Sequence, residues 1–296
     1  MTPAISVVVA TYEWPEALDV VLRALSEQLG EPFETVVADD GSSRDVARVV
    51  EAWRTPLDPI HVLQPHEGFR KARLLDTAAL RATGDYLLFL DGDCVPRTGF
   101  VDAVRRAAVS GWFVASKRLH LSPALSARVL SGSARVWRWS SPRWLVSAPR
   151  ELVRSPHRQA NRPGVLLPVR HRARRRSDEV VDYTPPYNGY GYAFGVFRDD
   201  FERVNGFDTR LTGWDADDTD LARRLRIAGL RCRWPGPDAS VLHLWHPPGK
   251  QGARRDLVRP DAPQAVEGLR ELEAGLAQAS ANRVGGSSSS SDPVKR

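Results

Sequence analysis

The strongest constraint on the fold is an alternation of short apolar runs and amphipathic stretches over residues 5–93. Ile5-Ser6-Val7-Val8-Val9-Ala10 is β-branched and apolar, and reads as a buried strand. Beyond it, Ala17, Leu18, Val21, Leu22 and Leu25 recur at helical spacing, so a helix is expected over 15–29, stopped by Gly30. Residues 33–38 repeat the strand signal, 45–53 the helical one, 60–63 a short strand and 71–82 a third helix. Tyr86-Leu87-Leu88-Phe89-Leu90 then runs straight into Asp91-Gly92-Asp93. Strand–helix alternation of this kind builds an α/β fold, a mostly parallel central sheet flanked by helices. Ligands of such sheets gather beyond the C-terminal strand ends. Asp39, Asp40, Asp91 and Asp93 all fall there.

With 296 residues, 42% hydrophobic content and nine tryptophans, the chain can bury a sizeable core. Two cysteines, Cys94 and Cys232, are too few for a disulfide framework and point to a reducing compartment. No basic stretch leads into an apolar one at the N-terminus, and no apolar run nears the roughly 20 residues of a membrane span. A cytoplasmic protein is expected, with peripheral contact at the inner membrane face left open. The net charge of +6 is unevenly spread: residues 117–176 hold fifteen Lys or Arg against one acid, Glu151. That segment calls for an anionic partner, whether nucleic acid, anionic lipid or a phosphorylated acceptor. In it Val136-Trp137-Arg138-Trp139 and Pro142-Arg143-Trp144 interleave aromatics with arginine. Residues 114–187 read as an insertion over the sheet, partly helix and partly loop. Regular structure returns from residue 187, with a short helical turn at 201–204, a helix over 221–228, strands near Cys232 and over 239–243, and an amphipathic helix over 262–279. The serine-rich end reads as a disordered tail.

Five clusters carry chemistry. Two carboxylates one residue apart at a strand end, Asp91 and Asp93, suit a divalent cation, and Gly92 would let a ligand approach the backbone; the bland reading is a polar turn. Asp39-Asp40-Gly41-Ser42 offers acceptors to a base or ribose, or forms a turn with Ser42 or Ser43 capping the next helix. Arg70, Lys71 and Arg73 could hold a diphosphate or simply face solvent. Asp215, Asp217, Asp218 and Asp220 exceed what helix capping needs, and one could act as a general base. His243 follows an apolar run and could complete a metal shell or be structural. Its spacing to His246 does not fit a zinc hydrolase.

The order of these elements is informative. Thr11-Tyr12, Asp39-Asp40-Gly41-Ser42, Lys71-Ala72-Arg73, Gly84-Asp85-Tyr86 and Asp91-Gly92-Asp93 resemble the nucleotide-sugar half of family-2 glycosyltransferases of the GT-A fold. Asn205-Gly206-Phe207-Asp208, Gly213-Trp214 with Asp217-Asp218 and Asp220-Leu221, and His243 with His246-Pro247 resemble the acceptor half of the β-galactosyltransferase and chondroitin-polymerase type. The resemblance covers about residues 4–113 and 187–250. It implies a GT-A nucleotide-diphospho-sugar transferase domain over 1–250: a nucleotide-sugar half (1–113), the basic insertion (114–187) and an acceptor half (187–250). A C-terminal helix (251–282) and a tail (283–296) would follow. It further implies that Tyr12, Asp39 or Asp40, and Arg73 hold the nucleobase and ribose. Asp91 would touch ribose or metal, Asp93 and His243 would ligate Mn²⁺ or Mg²⁺, and Asp218 would be the catalytic base. Asp217 would grip an acceptor hydroxyl and Trp214 would wall the acceptor site. The family's Trp-Gly-Gly-Glu-Asp is here Trp214-Asp215-Ala216-Asp217-Asp218, and Leu74 stands where the family has Asn.

The implied activity is inverting, metal-dependent transfer from a nucleotide diphosphate donor, expected to be a UDP-sugar, to a glycan, lipid-linked or small-molecule acceptor. Two other readings stay open: a non-catalytic nucleotide-sugar or carbohydrate-binding protein on the same fold, and a nucleotidyltransferase. No nucleic-acid motif accompanies the basic segment, so nucleic acid is not expected as a partner.

Overall fold

The computed structural model describes residues 2–140, 142–144, 146–147, 193–211, 217–247 and 268–274. Seven strands form the main sheet: β1 (Ile5–Thr11), β2 (Glu34–Asp39), β3 (Ile60–Leu63), β4 (Tyr86–Asp91), β6 (Trp112–Ala115), β8 (Ala193–Phe197) and β9 (Arg231–Arg233). Their order is β3-β2-β1-β4-β8-β6-β9. The pairs β1–β2, β1–β4, β2–β3 and β6–β9 are parallel, and β8 is antiparallel to both its neighbours. The chain winds outward from β1 to β3, then returns to the other side of β1 with β4. The β1/β4 boundary is therefore a topological switch point, the place where open α/β sheets bind ligands. Thr11 is in register with Asp39, and Ala10 with Asp91, so the candidate acids finish level at one sheet edge.

Strand alternation divides the core into two layers. Val7, Val9, Leu88 and Leu90 face one side, packed with Leu18, Val21 and Leu22 of α1 (Pro15–Ser26) and Phe100 and Val104 of α5 (Phe100–Ala107). Val8, Val36, Leu87 and Phe89 face the other, against Leu75 and Ala78 of α4 (Lys71–Arg81), Phe201 of α7 (Arg198–Arg203) and Leu221 of α8 (Asp217–Ile227). Each such fully buried aliphatic contributes about 1.5–3 kcal/mol. α2 (Arg44–Ala52) and the short α3 (Arg54–Leu57) pack beside α1 on the first layer, as does α6 (Pro123–Leu130).

A second sheet of three short strands stands beside the first. Its order is β5 (Cys94–Pro96), β10 (Val241–His243), β7 (Arg118–His120). β10 runs antiparallel to β5 and parallel to β7, placing His243 between Cys94 and His120.

The structure departs from the sequence reading in several places. α1 ends at Ser26 rather than 29, because the next two residues have other partners. Glu27 accepts from Trp137 Nε1 at 2.5 Å and Arg138 Nε at 2.6 Å, while Gln28 Nε2 donates to the carbonyls of Ala24 and Arg97. Ser43 is the N-cap of α2 yet makes no side-chain cap bond. Ser42 Oγ instead accepts from the Glu13 amide, tying the β1 and β2 loops together. Gly92 serves the protein rather than a ligand: a Cβ there would lie 2.6 Å from the Ala10 carbonyl oxygen, which accepts the Gly92 amide at 2.7 Å. α8 begins at Asp217, earlier than 221, so Asp217, Asp218 and Asp220 all lie in its first turn, where the helix dipole favours carboxylates. Residues 114–130 contribute to β6, β7 and α6, so sheet and core extend into the stretch expected as insertion. Trp137 and Trp144 are buried in the core. Residues 148–187, Trp214, most of 251–282 and all of 283–296 lie outside the described residues, although 269–274 are helical. Among the described residues, no helix is long and apolar enough to cross a membrane.

Candidate active site

Two carboxylate clusters meet at the end of β4. In the first, Lys71 at the start of α4 places Nζ 2.6 Å from Asp91 Oδ1. Asp217 and Asp218, from the first turn of α8, line the same narrow crevice with Lys71, Asp91, Phe194 and Phe207. Lys71 is held charged, well above the usual lysine range: burial opposes this, but Asp91, Asp217 and Asp218 outweigh it. Asp91 is pushed up by burial, with Lys71 pulling against Asp93 and Asp217. Asp218 is raised to about 7, first by burial and then by the adjacent Asp217 carboxylate. Its Oδ1 accepts from the Thr219 amide at 2.7 Å. Asp217 is buried, and its Oδ2 has no hydrogen-bond partner among the described residues. Asp220 has a structural task, pairing with Arg224 at 2.7 Å.

The second cluster is built by the small sheet. The Leu244 amide donates to the Asp93 carbonyl at 2.9 Å and fixes the end of β10 against the β4–β5 turn. Asp93 Oδ2 then lies 3.4 Å from His243 Nε2 and 3.3 Å from His246 Nε2. The His243 and His246 rings are 5.2 Å apart, and Trp14 meets His246 edge-on at 5.9 Å. Burial pushes the Asp93 carboxyl up, but His243 and His246 outweigh it and hold it well below the usual carboxylate range. Asp93 and His243 bring a carboxylate oxygen and an imidazole nitrogen within 4.8 Å of each other, an arrangement that could hold a divalent cation of the first transition row. These are the two residues that the resemblance implied for this role. His246 reaches the same Asp93 oxygen because the turn after β10 swings its imidazole back.

The residues expected at the nucleobase lie at the β1 and β2 ends. Asp39 is buried, its Oδ1 accepting from the Ser42 amide at 2.9 Å and its Oδ2 lying 3.0 Å from His61 Nε2. Burial pushes its pKa up, and the His61 and Ser42 bonds bring it below the usual range. Asp40 contacts Gln64 Nε2 through Oδ1 and His66 Nδ1, at 3.0 Å, through Oδ2. His66 stacks on the half-exposed Tyr12 ring at 4.4 Å between centroids. Arg73 sits on the exposed face of α4, and no described residue gives its side chain a polar partner. A cavity of about 370 Å³ near α2 and β3, lined by Val50, Glu51, Arg54 and His61, holds none of the candidate site residues.

Comparison with known sequences agrees with this geometry. Residues 6–118 match the family described as glycosyl transferase family 2, and over that segment the chain is similar to it. The C-terminal part, residues 172–247, matches the model described as the N-terminal domain of galactosyltransferase. Validoxylamine A glucosyltransferase of Streptomyces hygroscopicus subsp. limoneus is 30% identical over 248 residues, covering 77% of this chain and 49% of that protein. The hyaluronan synthase of Pasteurella multocida is 31% identical over 93 residues, 31% of this chain and 10% of the synthase. The chain thus spans about half the length of the glucosyltransferase relative. Solved structures share the GT-A fold of this chain. The mannosyltransferase PcManGT from Pyrobaculum calidifontis, in complex with GDP-Man and Mn²⁺, has a TM-score of 0.53 at 22% identity, covering 84% of this chain and 59% of its own. GalNAc-T7 with UDP, GalNAc and Mn²⁺ has a TM-score of 0.56 at 16% identity, covering 88% and 46%.

Proposed function

We propose that this chain transfers a sugar from a nucleotide diphosphate donor to an acceptor hydroxyl with inversion at the anomeric carbon. The observation that carries the reading is the convergence of Asp91, Lys71, Asp217 and Asp218 in one crevice beside the Asp93–His243–His246 cluster. The relatives that use GDP-Man or UDP support a nucleotide-sugar donor. Tyr12 would stack on the base, next to the acidic loop at Asp39 and Asp40, with Arg73 at the rim. Asp93, His243 and His246 would hold a divalent cation, Mn²⁺ or Mg²⁺, which when bound neutralises the diphosphate leaving group. Lys71 fixes Asp91 and keeps positive charge beside the acids, so that Asp218 can ionise near neutral pH. Asp217 would accept a hydrogen bond from an acceptor hydroxyl, and Asp218 would take the proton from the attacking one. The new bond from that oxygen to the anomeric carbon forms as the bond to the diphosphate breaks, and the proton ends on Asp218. A single displacement with one base gives inversion.

The test is nucleotide release from a panel of UDP- and GDP-sugars, with Mn²⁺ and with chelator, on the native chain and on Asp218→Asn. The variant should bind donor normally and lose about 10²–10⁴-fold in turnover. Near-native turnover would remove Asp218 from its role. Failure of every nucleotide sugar to bind would remove the whole reading.

A further inference from the structure

Cys94 opens β5 directly opposite His243 in the antiparallel ladder. Residues opposed in this way project their side chains on one face, so thiol and imidazole share a face of the small sheet. The Cys94 Sγ lies 3.4 Å from Asp93 Oδ1. One donor atom each from Asp93, Cys94 and His243 all lie within 4.8 Å of one another. The other Asp93 oxygen reaches His243 and His246 at 3.4 and 3.3 Å. Donors bound to one tetrahedral ion at about 2.0–2.3 Å sit about 3.3–3.8 Å apart, which is the spacing of these Asp93 contacts. A centre for a hard cation alone would be built of oxygens. This one gathers a carboxylate, an imidazole and a thiol, with the His246 imidazole beside them on the Asp93 carboxylate.

We infer that Cys94 is a further donor of the Asp93 centre, and that the centre takes Zn²⁺, Co²⁺ and Cd²⁺ more tightly than Mn²⁺ or Mg²⁺. Thiolate and imidazole prefer such ions. On binding, the thiol proton leaves to solvent and sulfur bonds the metal. The inference rests on the cation reading of the Asp93 site given above. Cys232, buried on β9 in the main sheet, supplies the control thiol.

The full chain, stripped with chelator, is titrated with Co²⁺ and followed by absorbance. The native protein should show visible ligand-field bands together with a near-ultraviolet sulfur-to-cobalt charge-transfer band. Cys94→Ser should keep the visible bands and lose the ultraviolet one, and Cys232→Ser should keep both. Zn²⁺ competition should show Cys94→Ser binding zinc about tenfold or more weakly, with a smaller loss of Mn²⁺ affinity by electron paramagnetic resonance. Visible bands without a sulfur band in the native chain overturn the thiol donor alone, and that measurement needs no variant to fold. No cobalt spectrum at all overturns the cation reading as well.

Discussion

Asp76 of α4 offers a sharp stability test, because it is a carboxyl fully buried in the apolar layer beneath the Asn205–Asp208 turn. Its Oδ1 accepts from the Phe207 amide at 2.9 Å, and its Oδ2 has no hydrogen-bond partner among the described residues. The turn it holds is tight: Asn205 and Gly206 both have positive φ, and a Cβ on Gly206 would lie 2.5 Å from Asp76 Oδ1. Burial raises the Asp76 pKa well above the carboxylate range. The Phe207 amide and Arg224 pull it down, while Asp208 and Glu271 push it further up. The folded chain therefore keeps this proton longer than the unfolded one. Stability from the group is intact in acid and falls as pH rises past the ordinary carboxylate range towards the raised folded-state pKa. The slope is at most about 1.4 kcal/mol per pH unit for one proton. Asp76→Asn keeps the acceptor and discards the titration, so it should stay within about 1 kcal/mol of native at pH 5 and overtake it as pH rises. Asp76→Ala should lose about 1–3 kcal/mol at pH 5, since the Phe207 amide is orphaned, and the deficit should shrink as pH rises because alanine does not titrate. Urea melts from pH 5 to 8 decide. Parallel pH profiles for native and Asp76→Asn, or an Asp76→Ala variant as stable as native at pH 5, would refute the reasoning.

Other outcomes follow from the same structure. Turnover should rise with pH through about 7 as Asp218 ionises to its basic form, and Asp218→Asn should abolish that limb in a pH–rate profile. Tyr12→Ala should weaken nucleotide diphosphate binding by about 1–3 kcal/mol, the scale of base–aromatic stacking, read by calorimetry. Glu27→Ala should cost about 1–3 kcal/mol, because the indole N–H of buried Trp137 loses its acceptor. Burial raises the Glu27 pKa, but Arg138 and Trp137 outweigh it and lower it overall. This contribution is therefore present above the ordinary carboxylate range and fades as pH falls through the lowered value, visible as acid-side loss in thermal melts. Gly195→Ala should destabilise, since a Cβ would meet the Tyr86 ring at 2.6 Å across β4 and β8. Circular dichroism melts would show it.

The parallel half of the fold was legible because long β-branched runs and helical spacing alternate without interruption from Ile5 to Asp91. β5, β6 and β7 were not, because strands of three or four residues carry no readable period and exist through partners far along the chain. The same limit applies to the site. Asp93 and His243 share no local pattern, and family resemblance rather than spacing linked them. Lys71 read equally as a diphosphate contact or a solvated helix face, and the structure pairs it with Asp91, a contact no one-dimensional pattern encodes. Asp39 and Asp40 look alike in sequence, and only the folded chain shows that one secures its own turn and His61 while the other reaches Gln64 and His66.

The small sheet has a further consequence, for folding order. Arg97 Nη1 donates to the Pro237 carbonyl 140 residues away, and His243 pairs with Cys94 over a similar span. Closing so large a loop carries an entropic cost before any contact repays it. On that cost the Asp93 cluster is expected to assemble late, after the N-terminal strands have paired. A nascent chain would then expose a finished β1–β4 half with Asp93 and Cys94 in place and both imidazoles still missing. On the cation reading proposed above, ion capture would mark completion of the fold, and premature metal would find one carboxylate and one thiol.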